Sequence, residues 1–275
     1  MREVWRFLSA CLATLSCAPV MLRAQAIDTV EVSVQGHLMR LLVAGHGTPT
    51  IVLEAGSGST SRTWRTLQPT LGALTRTVSY DRAGLGNSAL SPRPRSARVI
   101  AEELHAALRA AQLPPPYLLV GHSAGGLYVR VFAATYPTEV VGLVLVDPAP
   151  EDFYARAQRE FPRVFQRLDS IDAAGSASGS LGERAEEAAW DASLAEARAT
   201  DGMFTGPAIV LSSSRADLEE LGSLWTDEHR RWAQRSPRRS YVRIDSVGHQ
   251  IHRERPSVVI EAIQRLLAMP AAPRR

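Results

Sequence analysis

Apolar positions change their period repeatedly from about Thr29 onward, and each change marks an element. Thr29–Val34 and Leu38–Val43 alternate polar and apolar residues on either side of Gly36, which predicts an edge hairpin. Thr50–Glu54 and Thr77–Tyr80 read as short strands, with one helix near Trp64–Leu74 between them and another near Ala97–Ala111 after them. Pro114, Pro115 and Pro116 stop that second helix, because proline lacks an N–H and disfavours the helical region for the residue before it. Tyr117–Val120 and Val140–Val146 are continuous apolar runs, as expected of strands covered on both faces, and Gly125–Tyr136 between them has helical spacing.

After Asp147 the regularity lapses. Pro148–Gly206 is rich in Ala, Arg and Glu, with helical pieces around Asp152–Leu168 and Glu183–Ala199 separated by the small-residue run Ala173–Gly182. Strands resume at Ala208–Ser212 and Tyr241–Asp245, and Pro256–Leu267 closes the chain as an amphipathic helix. Alternating strands and helices predict an α/β protein, a mostly parallel doubly wound sheet with a helical cap inserted between two central strands. The expected division is a leader at 1–26, core at 27–147, cap at 148–206 and core again at 207–275.

The leader is read from its charge and polarity. Arg2 and Arg6 precede an apolar stretch from Phe7 to Val20, and Ala24-Gln25-Ala26 supplies a small-x-small cleavage site, so export to the periplasm or medium is expected. Ser9, Thr14, Ser16 and Pro19 interrupt the stretch, which falls short of a bilayer span of ~20 residues, so no stable span is expected after processing. Leu8-Ser9-Ala10-Cys11 resembles a lipoprotein processing box, but its apolar lead-in is too short for that anchoring. Both cysteines, Cys11 and Cys17, lie in the leader, which removes a disulfide framework and a cysteine nucleophile from the mature chain.

Of 275 residues 45% are hydrophobic and 21% charged, an ordinary globular balance. The formal charge of +3 does not point to nucleic acid, because without residues 1–26 the chain holds 28 basic and 27 acidic residues with no basic run. Every basic residue is Arg, so lysine Schiff bases and Ser-Lys dyads are excluded.

Gly121-His122-Ser123-Ala124-Gly125 fits G-x-S-x-G between a predicted strand and a predicted helix. In that setting the serine sits on a sharp turn, its hydroxyl lifted clear of the sheet and the next helix N-terminus offering N–H groups to developing negative charge. His249 is the candidate base: it follows the last strand after Gly248, in the order Ser, acid, His. His122 sits in the strand before the serine and is expected to face away, His37 and His46 flank the hairpin, and His105 and His229 fall in helical stretches where a solvated position is expected. His252 is expected to pack or line the rim. A zinc set of His249, His252 and Glu254 lacks the H-E-x-x-H spacing. Two carboxylates fit the third place: Asp147 ends Val140–Val146 directly, whereas Asp217 follows Ala208–Ser212 about a residue out of register. The register ranks Asp147 first and leaves Asp217 as the alternative.

With these motifs the chain resembles the α/β-hydrolase superfamily over nearly all its length after Ile27. Val52-Leu53-Glu54-Ala55-Gly56-Ser57-Gly58 falls where the family has His-Gly-x-x-Gly, Ala55 standing in place of His. Tyr80-Asp81-Arg82-Ala83-Gly84-Leu85-Gly86-Asn87-Ser88 resembles its D-x-x-G-x-G-x-S loop, expected to brace the serine's turn, and Ser246-Val247-Gly248-His249 resembles its final strand-to-histidine turn. The resemblance implies an oxyanion site made by the backbone N–H groups of Ser57 and Ala124, an acyl-enzyme route on a small-molecule ester, and no metal or organic cofactor. A serine at the elbow argues against a dehalogenase or epoxide hydrolase, which use Asp there. The rival readings are a lyase or acyltransferase on the same scaffold, or a ligand-binding relative without turnover.

Overall fold

In the computed structural model, which describes residues 25–167, 179–215 and 221–269, the edge hairpin is β1 (Ile27–Val34) and β2 (His37–Ala44), paired antiparallel. Val32 and Val34 turn inward while Glu31 and Ser33 stay exposed, as the alternation requires. β3 (Thr50–Glu54), β4 (Thr77–Tyr80), β5 (Tyr117–His122), β6 (Val140–Val146), β7 (Ala208–Ser213) and β8 (Arg239–Ile244) run parallel to one another. The sheet order is β1-β2-β4-β3-β5-β6-β7-β8.

The helices are α1 (Gln68–Gly72), α2 (Ala97–Ala110), α3 (Ala124–Thr135), α4 (Phe153–Glu160), α5 (Leu181–Ala188), α6 (Trp190–Ala199), α7 (Leu221–Gln234), α8 (Ile251–Glu254) and α9 (Pro256–Leu267), with 162–167 also helical. Successive side chains of a central strand go to opposite cores. Tyr117 and Leu119 of β5 join Ile100, Leu104, Leu127 and Phe132 on one face, while Leu118 and Val120 join Leu71, Val259 and Ile263 on the other. This is why Tyr117–Val120 of β5 reads as unbroken apolar sequence.

Four elements differ from expectation. The helix near Trp64–Leu74 is a 3-10 turn at Ser61–Trp64 followed by α1, because Pro69 suits a first helical turn and not an interior. α4 stops at Phe161, the residue before Pro162. The helix predicted at Glu183–Ala199 breaks at Ala189, so that α5 turns Glu186 inward while α6 lies against α2 and α3. α7 has no counterpart in the expected order beyond the helical placing of His229; its buried stripe, Leu221, Leu224, Trp225, Glu228, His229 and Trp232, has helical spacing but is diluted by polar residues. The predicted leader falls on residues 1–24 outside the described residues, apart from its last two positions. Among the described residues no helix is long and apolar enough to cross a membrane.

Candidate active site

Ser123, Asp147 and His249 follow the carboxyl ends of β5, β6 and β8, where open α/β sheets place their ligand crevices. Ser123 stands alone between β5 and α3 with φ 53° and ψ −124°, a conformation that costs an L-residue energy and persists only where its surroundings hold it. They do so here: Ser123 N–H donates to Val146 O at 3.2 Å, and Ala149 N–H donates to Ser123 O at 2.9 Å. A Cβ on Gly121 would run into the Gly125 carbonyl, and one on Gly125 would lie 2.6 Å from the carbonyl oxygens of Glu54 and Ala55. The two glycines of the motif thus let the helix start sit directly on the segment after β3. Ser123 is half-buried.

Asp147 follows β6 with φ 45° and is fully buried. Its carboxylate accepts from Ser213 N–H (2.8 Å), the Ser213 hydroxyl (2.9 Å), Trp225 Nε1–H (3.3 Å) and His249 Nδ1–H (2.6 Å). Burial alone would raise this carboxyl, but the His249 hydrogen bond, the nearby His229 and the Ser213 N–H together hold it below the ordinary carboxylate range. The alternative acid, Asp217, lies outside the described residues. His249 sits just past β8, after Ser246 at φ 60°, with 24% of its side chain exposed. Donation from Nδ1 leaves Nε2 as the free nitrogen of the neutral ring. Among the described residues no hydrogen bond joins the Ser123 hydroxyl to His249.

His122 does not lie apart from His249 as expected from strand alternation. Its Nε2–H donates to the His249 carbonyl at 3.0 Å, and the two rings are 4.6 Å apart. His252 continues this row of tilted rings, 4.5 Å from His122 and 4.5 Å from Trp64, with Nε2 2.7 Å from Thr63 Oγ1. Burial, with the neighbouring imidazoles, pushes His122 well below the usual histidine range; burial, Arg253 and His249 push His252 down to about 3. His229 is a second correction. It is buried rather than solvated, with Nε2–H donating to Pro148 O at 2.7 Å and Nδ1 2.8 Å from Ser212 Oγ, and burial lowers its pKa. His37 is buried, His46 is exposed, and His105 pairs with Glu139 at 3.1 Å.

Three residues around the pair escaped sequence reasoning. Ser213 and Trp225 hold Asp147, and Arg215 places Nη1 3.3 Å from His249 Nδ1 with its guanidinium over the Trp225 ring. Ser213 ends a strand next to β6, so register identifies it; the other two come from a stretch without a motif.

Of the two expected oxyanion residues, Ala124 opens α3, where amides lack intrahelical partners, and Ser57 is exposed at the loop after β3. That loop reaches the elbow: a Cβ on Gly56 would be 3.2 Å from Ser123 Cβ and 3.1 Å from His122 Nδ1. The Asp81–Ser88 loop braces this segment rather than the serine's turn. Asp81 accepts from Ser61 N–H (2.9 Å), Ser61 Oγ (2.7 Å) and Asn87 N–H (2.9 Å), and Arg82 donates to the carbonyls of Ala55 and Gly56. Glu254 accepts from Gly248 N–H at 2.8 Å, and among the described residues no group of three or more His, Cys, Asp or Glu is placed to hold a metal.

Comparison with known proteins agrees with this architecture. Residues 42–262 match the model of the alpha/beta hydrolase family. The chain is 30% identical over 218 residues to the uncharacterized protein YqjL of Bacillus subtilis strain 168, covering 78% of this chain and 81% of that protein. Among solved structures it is similar to the enol-lactonase from Burkholderia xenovorans LB400 (TM-score 0.65, 18% identity, 87% of this chain and 100% of the other). It is also similar to a thermophilic esterase from Thermogutta terrifontis (TM-score 0.60, 19% identity, 87% and 98%). With eight strands in this order, helices on both faces and a family match spanning β2 to α9, the chain belongs to the alpha/beta hydrolase family.

Proposed function

We propose that this chain is an exported serine hydrolase that cleaves an ester or related acyl bond of a small molecule. One observation carries the reading: a buried carboxylate, Asp147, grips Nδ1 of His249 at 2.6 Å at the sheet edge where Ser123 stands on its elbow. In the proposed reaction His249 Nε2 takes the Ser123 proton as Oγ attacks the acyl carbon. Asp147 holds the tautomer and stabilises the imidazolium. The amides of Ser57 and Ala124 donate to the oxyanion, where losing one donor costs on the order of 3 kcal/mol. His249 then protonates the leaving alcohol, and water, deprotonated by the same imidazole, releases the acid and restores Ser123. The esterase and enol-lactonase among its structural neighbours make an ester the bond to test first.

A fluorophosphonate probe on the purified chain, with a chain-length series of aryl esters, tests this. Labelling at Ser123, its loss in Ser123→Ala, and release of free acid are expected. An unlabelled wild-type chain overturns the enzyme reading, and product formed by elimination or transfer to another alcohol replaces hydrolase with lyase or acyltransferase. Export rests on Arg2, Arg6, the Phe7–Val20 stretch and Ala24-Gln25-Ala26. Secreted protein should begin at Ile27; a chain retained in the cytoplasm with its first residues intact contradicts this.

A further inference from the structure

The guanidinium of Arg82 is buried, and all five of its N–H groups are used. Nε donates to Glu186 Oε1 (2.6 Å), and Nη2 donates to Glu186 Oε2 (3.0 Å) and Gly56 O (2.7 Å). Nη1 donates to Glu54 Oε1 (2.7 Å) and Ala55 O (2.9 Å). Glu54 is held from its other side by the Tyr80 hydroxyl. Glu186 comes from α5 in the segment between β6 and β7, and its Oε2 also accepts from Gly58 N–H at 3.1 Å. The last residue of β3, the first two of the loop after it, and Gly58 two places on are thus tied to one arginine and one carboxylate that sequence separates by 104 positions.

The consequence follows from peptide planarity. In a trans peptide the C=O and the following N–H point in opposite directions. The Gly56 carbonyl is fixed by Arg82 and by Ser59 N–H (3.1 Å), so the Ser57 N–H of the same plane is directed away from the guanidinium. A planar five-donor fork imposes this orientation; a flexible ammonium does not. Gly84 and Gly182 meet closely enough that a Cβ on either would clash with the other's backbone, which brings α5 down onto the Asp81–Ser88 loop.

We propose that Arg82 and Glu186 are positioning residues that set the oxyanion donor of Ser57, so that seating of the inserted segment assembles the oxyanion site. This rests on the serine-hydrolase reading above. With α5 displaced, Arg82 loses two of its five acceptors and Gly58 N–H its partner, and the loop has no fixed plane.

The test is Glu186→Gln, which keeps shape and removes charge, with Arg82→Lys beside it, both assayed on a short aryl ester. Concentrations are set by fluorophosphonate titration, so misfolded protein does not count. Per titrated site, kcat should fall about 10- to 100-fold, short of the 10²–10³ for outright loss of a donor, with KM changed less than about threefold. Affinity for an alkylboronic acid, which forms a tetrahedral adduct on the serine, should fall by a matching factor; a purely structural role lowers melting temperature and active fraction but leaves both ratios unmoved. If Glu186→Gln does not fold, Glu186→Asp, which retracts the carboxylate by one carbon, decides in its place. Wild-type kcat per site and boronate affinity in the folded variants, with Ser123→Ala inactive, overturns this proposal alone. Activity surviving in Ser123→Ala overturns the serine reading instead.

Discussion

Asp147 separates holding from reacting at the scale of one side chain. Ser213 and Trp225 fill its remaining lone pairs with N–H and O–H donors, so the carboxylate cannot turn away from His249. In Asp147→Asn one end of the amide becomes a donor facing donors, and the imidazole loses the acceptor that fixes its tautomer. We expect kcat on an aryl ester at pH 7 to fall about 10³- to 10⁴-fold with little change in KM, a loss below tenfold being inconsistent with the role. Trp225→Phe is the graded companion. It removes only the 3.3 Å bond to Oδ1 while keeping an aromatic ring at the 5.8 Å edge-on contact with His249, so less than a tenfold loss in kcat/KM is expected from the same assay.

At the scale of elements the site is a junction of the α3 start, the loop after β3 and the strand ends of β6 and β7. Gly125→Ala probes that junction without touching a reacting group: its methyl would sit 2.6 Å from two loop carbonyls. A loss of about 1–3 kcal/mol of stability to overpacking, seen as a lowered melting temperature, with kcat reduced because the loop is pushed off the elbow, is the expected outcome; an unshifted melt would mean that the loop yields freely. Much of this junction was legible in sequence. Tyr117–Val120 and Gly142–Val146 read as apolar runs because both faces are covered there, and G-x-S-x-G falls between one of them and a helix, so the elbow and the strand-end Asp147 could be located. What was not legible came from residues joined across long separations. Glu186 carries no motif and reaches Arg82 only because α5 folds back on the loop, and His229 in a polar stretch gives no hint that it closes on Pro148 O. His122 misled because alternation along a strand gives a direction but not what arrives there, and the turn after β8 brings His249 back over its ring.

At the scale of the whole molecule, three histidines are folded into places that disfavour their charged form. Burial is the leading cause for His122, His229 and His252 alike, and for His252 it brings the value to about 3. An unfolded chain protonates each near pH 6.5, so below that pH the unfolded state binds protons that the native state refuses, and stability falls as pH falls. It is fully present above about pH 6.5 and lost progressively toward the native values. Each such group steepens the loss of stability as pH falls through and below the unfolded value, because its protons are taken up by the unfolded chain and not by the native one. The carboxylate of Glu151 acts in a different window, whereas burial raises Glu54, which favours the native state as pH falls. Glu151, resisting burial through Arg130 at 2.7 Å, sits at about 2 against an ordinary 4.5, and its contribution, present above about pH 4.5, is lost only as pH falls below that. Urea unfolding followed from pH 7.5 to 5 therefore leaves the Glu151 contribution intact while the imidazoles titrate in the unfolded chain. Stability should decline over that range, and His252→Gln, which keeps a polar group near Thr63 Oγ1 without a titrating ring, should make the decline measurably shallower. A profile flat to pH 5 would mean that these rings take up protons in the native protein as readily as in the unfolded chain, contrary to their burial.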